Sequence, residues 1–122
     1  MPMHPFPSVE ALQCFVGDAI AQVSLDPHAV QFSFESMRRL VAEQRIEHVE
    51  PDGTVWAYDC QAAEGPPVVL HRLLYRRIVA VEREDLRLTF RIDDGSTLSV
   101  LSELGPYESG HIEAPEIGFA VF

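Results

Sequence analysis

The chain contains no lysine and no asparagine, so all nine of its basic residues are arginine. Without lysine, a Schiff-base mechanism and a P-loop phosphate site are excluded. Against the nine arginines stand 19 acidic residues, which gives a formal net charge of −10. Because an acidic surface repels phosphate backbones, we expect no nucleic-acid partner.

Cysteine is also scarce. Cys14 and Cys60 are far apart and form no Cys-x-x-Cys motif, so we expect buried thiols rather than a disulfide framework or a zinc site. No apolar run approaches the roughly 18 residues of a membrane span, and the first residues lack the features of a secretory signal. The sequence therefore predicts a cytoplasmic protein with no membrane partner and no cofactor.

An apolar pattern that occurs twice is the most informative feature of the chain. Residues 12–23 align without a gap with residues 70–81, and their large apolar positions coincide. The segments 30–34 and 86–90 then match after a two-residue slip. We therefore predict a single domain over residues 1–122, with an internal duplication whose pseudo-symmetric halves are 8–60 and 66–122.

Each half predicts a short helix followed by antiparallel strands. Helical spacing of apolar residues indicates helices over 9–16 and 68–74. Alternation and turn residues predict strands over 19–23, 30–34, 40–49, 54–60, 78–82, 86–92, 97–101, 111–113 and 118–122. The expected fold class is α+β, a mostly antiparallel β sheet in a sandwich or half-open barrel with two short helices.

Several segments resemble a family of small bacterial domains, frequent in actinobacteria, to which no activity is assigned. The resemblance is carried by Leu-Arg-Leu-Thr-Phe at 86–90, Asp-Asp-Gly-Ser-Thr-Leu at 93–98 and Pro-Tyr-Glu-Ser at 106–109. The family often has Trp after Tyr-Glu-Ser, where this chain has Gly110. The resemblance implies no catalytic residues. More distantly, size, acidity and fold type are similar to those of immunity-like proteins encoded beside bacterial toxins.

The densest group of reactive side chains is Tyr107, Glu108, Ser109 and His111. A hydrolase elbow would need Ser109 in a Gly-x-Ser-x-Gly turn between a strand and a helix, and the surrounding residues do not fit that pattern. We interpret the group as a loop held by hydrogen bonds to the backbone. Together with Tyr58, these four residues form the candidate binding surface.

Other polar groups have simpler interpretations. His48, Glu50 and Asp52 offer two or three metal ligands, but no further ligand follows at a recognisable spacing, so an exposed polar strand face is expected. The acidic pair at 93–94 is explained by turn chemistry. Trp56 shares a strand face with Tyr58, and we expect Trp56 to lie in the core.

Two classes of function remain open from the sequence. The first is a non-enzymatic, acidic protein-binding module whose partner is basic, such as a toxin. The second is an enzyme or small-ligand domain with a cleft between the halves, lined by Tyr58, Tyr107, Glu108 and His111. A homodimer formed through sheet edges, with 97–101 and 118–122 as candidate edges, is compatible with either class.

Overall fold

The structure, a computed structural model, describes residues 5–62, 69–103 and 108–122. Its helix α1 (Val9–Leu12) begins after Ser8, whose Oγ accepts the N–H of Ala11 at 3.2 Å. The chain continues as a 3-10 turn over Gln13–Phe15. The helix predicted to reach residue 16 is therefore only one α-helical turn long.

The second predicted helix, over 68–74, is a 3-10 turn at Leu70–Leu73 in the described part of the chain. With three residues per turn, Leu70 and Leu73 lie on the same side, and both are buried. The turn ends at Leu74, whose backbone is extended, with φ −62° and ψ 133°, and Tyr75 follows with a left-handed backbone, φ 66°.

The described residues form strands that all pair antiparallel. In chain order they are β1 (Ile20–Asp26), β2 (Ala29–Phe34), β3 (Arg39–Ala42), β4 (Arg45–Val49), β5 (Val55–Asp59), β6 (Ile78–Arg83), β7 (Arg87–Ile92), β8 (Thr97–Leu101), β9 (Gly110–Ala114) and β10 (Gly118–Val121). The first sheet has the order β1-β2-β3-β9-β10, and the second has the order β5-β4-β8-β7-β6. The expected mostly antiparallel α+β fold is confirmed.

Two details of the strand prediction are wrong. The single strand expected over 40–49 is two strands, because β3 belongs to the first sheet and β4 to the second. Three consecutive buried residues, Leu40, Val41 and Ala42, break the simple alternation there. The segment 97–101, expected as a candidate sheet edge, is β8, which lies between β4 and β7.

The strand pairings of the two sheets match position by position. Ile20 lies opposite Phe34 at the start of the β1–β2 pair, and Ile78 lies opposite Ile92 at the start of the β6–β7 pair. A bulge follows directly in both pairs, before Gln22 and before Ala80. The same 58-residue offset therefore relates the two hairpins.

The offset persists through the next strand. Phe32 lies opposite Leu40 in the first sheet, and Phe90 lies opposite Leu98 in the second. Because Phe32 matches Phe90, the two-residue slip expected before residues 86–90 does not occur. Each sheet is then completed by a hairpin from the other half of the chain: β9–β10 joins β3, and β4–β5 joins β8.

The core lies between the sheets and draws on both halves. The ring of Phe15 lies 5.0 Å from that of Phe34 and 5.5 Å from that of Phe90, measured between centroids, with edge-to-face geometry. All three residues belong to one buried apolar cluster. In the described residues, no helix is both long enough and apolar enough to cross a membrane.

A short ladder joins the two sheets at one corner. Ala19 pairs with Arg77, the N–H of Ile20 donates to the carbonyl of Arg76 at 3.1 Å, and the N–H of Ile78 donates to the carbonyl of Asp18 at 2.9 Å. The two hydrogen bonds are again related by the 58-residue offset. The starts of β1 and β6 are therefore tied together, whereas β5 and β10 lie at the outer ends of their sheets.

Candidate functional site

The structure separates the residues of the predicted binding surface. Tyr58 lies in β5 of the second sheet and packs half-buried against the core, whereas His111 lies in β9 of the first sheet. Glu108 is exposed and Ser109 is buried. Tyr107 lies outside the described residues.

Ser109 is a structural residue rather than part of a surface. Only 1% of it is exposed, and its Oγ accepts the N–H of Glu103 at 3.0 Å. Its own N–H donates to the carbonyl of Phe122, and its carbonyl accepts the N–H of Glu43. These bonds fix the entry into β9, so the expectation that Ser109 contributes to a binding surface is wrong.

Gly110, the next residue, faces the core at a point where a side chain does not fit. A Cβ placed there would lie 2.1 Å from the carbonyl oxygen of Val41 and 2.6 Å from the ring of Phe122. The Phe122 ring therefore occupies the space that a side chain would need. With this backbone, the Trp that the resembled family often has at this position cannot be accommodated.

His111 belongs to an aromatic pair on the outer face of the first sheet. Its ring stacks on that of Phe119 in β10, with centroids 4.7 Å apart and planes 29° from parallel. In the register, His111 lies opposite Val121 and Phe119 lies opposite Glu113, so the two rings are diagonal neighbours. Phe119 remains 62% exposed. We call Phe119, His111, Glu113 and Val121 the Phe119 surface.

Charged side chains border this surface. Glu113 pairs with Arg39 across β3 and β9 at 3.3 Å, and both side chains remain well exposed to solvent. Glu116, in the turn between β9 and β10, pairs with Arg38. The Arg38 guanidinium holds the pKa of Glu116 below its ordinary value, so this carboxylate is charged at neutral pH.

Arg38 also pairs with a buried carboxylate, that of Asp18. This network of Asp18, Arg38 and Glu116 joins residues far apart in the chain, so no local sequence pattern indicates it. The Nη1 of Arg38 lies 2.8 Å from Oδ2 of Asp18, whose side chain is 3% exposed. Asp18 Oδ1 accepts the N–H groups of Ala19 and Ser36. Arg38 thus links the turn that carries Glu116 to Asp18, which precedes β1. Because this turn leads into β10, the link supports the strand that carries Phe119.

The polar group around His48, in β4 of the second sheet, differs from the expectation. His48 is 2% exposed, its Nδ1 has no hydrogen-bond partner among the described residues, and burial lowers its pKa. The exposed polar strand face expected there is therefore wrong at His48. Glu50 accepts the indole N–H of Trp56 at 2.8 Å and pairs with Arg72. Trp56 is half-buried and does not belong to the buried apolar cluster, so the expectation that it lies in the core is wrong.

The described residues were compared with the two other kinds of site considered from the sequence, a metal site and a binding cleft. Within 5–62, 69–103 and 108–122, no group of three or more His, Cys, Asp or Glu side chains has the geometry to hold a metal ion. A shallow depression is lined by Glu43, Gln44, Gln61 and Glu108. Among the described residues expected to line a cleft, Glu108 borders this depression, and Tyr58 and His111 do not.

Of the four residues of the Phe119 surface, only His111 is a candidate from the sequence; Phe119, its most exposed aromatic residue, is not. Its strand, Gly-Phe-Ala-Val-Phe, is apolar throughout, so alternation could not indicate which side chains face outward. Comparisons of the chain with protein-family models, with curated proteins and with solved structures return no match. The site is therefore interpreted from its own geometry.

Proposed function

We propose that this protein is a non-enzymatic, acidic protein-binding module that uses the Phe119 surface to bind a basic protein. The observation that carries the proposal is Phe119 itself, a large aromatic side chain that is 62% exposed and stacked on His111. Aromatic side chains dominate the binding energy of protein interfaces because they bury much apolar area with few rotatable bonds. His111 covers one side of the Phe119 ring and leaves most of the side chain open to a partner.

The strand that carries Phe119 supports the same proposal. In the described residues, β10 pairs with β9 on one side and with no strand on the other. Natural proteins protect free edges with charges or prolines, yet residues 118–122 contain neither. A partner segment that adds to β10 as a strand would satisfy the free backbone groups while its side chains contact Phe119.

The net charge of the chain indicates the charge that its partner should carry. The chain carries a net charge of −10, and this overall charge carries the argument, because Glu113 and Glu116 near the surface are paired with Arg39 and Arg38. A negative field accelerates encounter with a positively charged protein and disfavours an acidic one. A basic toxin is a partner of this kind, which connects the proposal with the immunity-like resemblance.

We place this role in the cytoplasm of a bacterium, in a member of the resembled family of small domains. Both cysteines are free thiols, which is typical of proteins in a reducing compartment. Burial raises the pKa of Cys60 to about 11, so this thiol is protonated at neutral pH.

We also infer that residues 8–60 and 66–122 are two copies of one unit related by approximate twofold symmetry. Two observations support this inference: the strand registers match, and the hydrogen bond from Ile20 to Arg76 has its counterpart in the bond from Ile78 to Asp18. Each copy alone would lack two strands of a sheet. The duplication therefore explains the closed core and needs no separate function.

The test is affinity capture from the source organism with tagged wild-type protein and two matched variants. Phe119→Asp places a charge on the proposed surface, and Val55→Asp makes the same change at the matching position of the second sheet, which is 58% exposed. We expect one basic protein to be retained in stoichiometric amounts by the wild type and by Val55→Asp, and to be lost from Phe119→Asp. Its retention should fall as salt rises, because exposed charges are screened.

Equal recovery of the partner by the wild type and Phe119→Asp would contradict the proposal. Size-exclusion chromatography with light scattering tests an alternative role of the β10 edge, the formation of a homodimer. If the wild type is a dimer that Phe119→Asp converts to monomer, β10 binds a second copy of the chain rather than a basic partner, and the proposal is wrong.

A further inference from the structure

The outer edge of β5 is a second free sheet edge in the described part of the chain, and it is more regular than the edges of β1 and β6. β5 pairs with β4 over five consecutive residues without a register shift, whereas β1 and β6 each contain a bulge and are bonded to each other at their starts. Bulges and charges protect an edge from pairing with another chain. β5 has no proline and one charged residue, Asp59. Its edge is therefore open to a further strand.

Hydrogen bonds at the two ends of the β4–β5 pair show which backbone groups of β5 are free. The N–H of Glu50 donates to the carbonyl of Thr54 at one end, and the N–H of Cys60 donates to the carbonyl of Gln44 at the other. Hydrogen-bonded residues alternate along an antiparallel pair, so the even-numbered residues of β5 bond to β4. The residues whose N–H and C=O groups point away from β4 are Val55, Ala57 and Asp59.

The aromatic side chains on the inner face of β5 are only partly covered. Trp56 and Tyr58 lie opposite buried residues of β4, yet both remain half-buried. The position of Tyr58 is matched at the end of the first sheet by Phe122, which is 1% exposed because Phe6 stacks on it with centroids 4.7 Å apart. A strand added to β5 would give the two aromatic residues of the second sheet a comparable cover.

We propose that β5 pairs antiparallel with β5 of a second copy of this chain, which makes the protein a homodimer. A twofold axis at Ala57 places Ala57 opposite Ala57 and Val55 opposite Asp59 of the other copy. All the free backbone groups of both strands are then hydrogen-bonded. Trp56 of each copy lies opposite Tyr58 of the other, in the non-hydrogen-bonded pairs where cross-strand side chains are closest.

A second copy is favoured as the occupant because the edge complements itself. In this register the free backbone groups coincide, and each copy covers the aromatic side chains of the other. Asp59, the one charge in the strand, accepts the N–H groups of Gln61 and Ala62 of its own chain and faces an uncharged Val55. Repulsion between two chains of net charge −10 is screened beyond about 8 Å at physiological salt. The dimer should therefore tighten as salt rises, whereas capture of a basic protein should weaken.

The experiment is analytical ultracentrifugation of the wild type, Ala57→Pro and Val121→Pro over a dilution series. Proline at position 57 removes an N–H that points away from β4, so it prevents pairing with a second copy and leaves the β4–β5 pair intact. Val121 lies opposite His111 as Ala57 lies opposite Glu47, so Val121→Pro makes the same change on β10. We expect Ala57→Pro to dimerise at least about tenfold more weakly than the wild type, and Val121→Pro to dimerise like it.

A second variant and a residue-specific measurement keep the test valid if proline disturbs the fold. Val55 is 58% exposed, and Val55→Asp places a carboxylate opposite Asp59 of the other copy, so it should also weaken the dimer. Hydrogen exchange followed by NMR should show the amides of Val55, Ala57 and Asp59 protected at high protein concentration and exposed on dilution. The exchange of the Val121 amide should not depend on concentration.

Three results would each overturn the proposal: a wild type that stays monomeric at the highest concentration, a folded Ala57→Pro or Val55→Asp that dimerises like the wild type, or a dimer that Val121→Pro dissociates. Phe119→Asp, which tests the binding of a basic protein, should leave this dimer intact. Failure of the β5 dimer and failure of capture through Phe119 are therefore separate outcomes.

Discussion

The outer faces of the two sheets carry different side chains on matching positions. His111 and Phe119 lie on the first sheet where Glu47 and Val55 lie on the second. Arg87 donates a hydrogen bond to Glu47 at 2.9 Å, so the second face carries an ordinary polar pair, whereas the first face presents a stacked aromatic pair. Because the backbone pairings are the same, the fold does not require this difference.

The turns that follow β2 and β7 also carry different polar side chains at matching positions. Arg38 holds the buried Asp18 in the first half, and the position that matches Arg38 in the second half is Ser96, whose hydroxyl and N–H both donate to Asp94. The turns have the same backbone closure, since Phe34 and Ile92 each donate to the carbonyl of these residues. The two turns therefore share their backbone closure, while the polar side chains that surround them differ between the halves.

The largest expected effect tests whether the two halves form one core. Phe32→Ala and Phe90→Ala remove matching side chains that are fully buried, and each should lower the free energy of unfolding by about 3–5 kcal/mol. Urea denaturation followed by fluorescence and by circular dichroism should show one shared transition for both variants. A separate transition in which one half of the chain remains folded would contradict the claim that the two halves share one core.

The second prediction exchanges a side chain between the corners. Arg38→Ser introduces the residue of the second half and leaves the Asp18 carboxylate buried without its cation, so stability should fall by roughly 2–3 kcal/mol. Arg39→Ser removes an exposed pair with Glu113 and should cost less than about 1 kcal/mol. If urea denaturation gives equal losses for both variants, the Arg38 network does not stabilise the first corner.

The smallest expected effect concerns pH. His48 in β4 matches Ile112 in β9, and burial lowers the folded-state pKa of His48 below its ordinary value near 6.5. Protonation therefore favours the unfolded chain, and the stability of the wild type should fall as the pH drops below about 6.5. Glu50 and Asp94 oppose this shift and Arg72 adds to it.

The control for this prediction is His48→Ile, which introduces the residue of the matching position. Thermal melts between pH 8 and about 5, a range above the ordinary carboxyl pKa values, should show a smaller loss for His48→Ile than for the wild type. Parallel curves for the two proteins would contradict the assignment of this pH dependence to His48.

The sequence predicted the elements whose signals are local. Residues 97–101 have the predicted strand bounds, because alternation starts directly after the Asp-Gly turn. The boundary between β3 and β4 was missed because both segments are extended and only their sheets differ. The Arg38–Glu116 pair joins residues 78 positions apart, which no local pattern can reveal.

The candidate site was only partly predictable for the same reason. His111 was singled out by residue type, but its partner Phe119 is fixed by the β9–β10 register. Ser109 was misassigned because its burial depends on contacts with Glu43 and Phe122, which are distant in sequence. Residue types thus indicated the region of the site, and tertiary contacts decided which side chains face solvent.

The most direct test of the Phe119 surface is photo-crosslinking in cells of the source organism. A benzoylphenylalanine placed at position 119 in one protein, and at the matching position 55 in another, samples the two outer faces under identical conditions. We predict a covalent adduct with one basic protein from position 119 and no such adduct from position 55. Absence of an adduct at position 119, or the same adduct from both positions, would contradict the assignment of binding to this face.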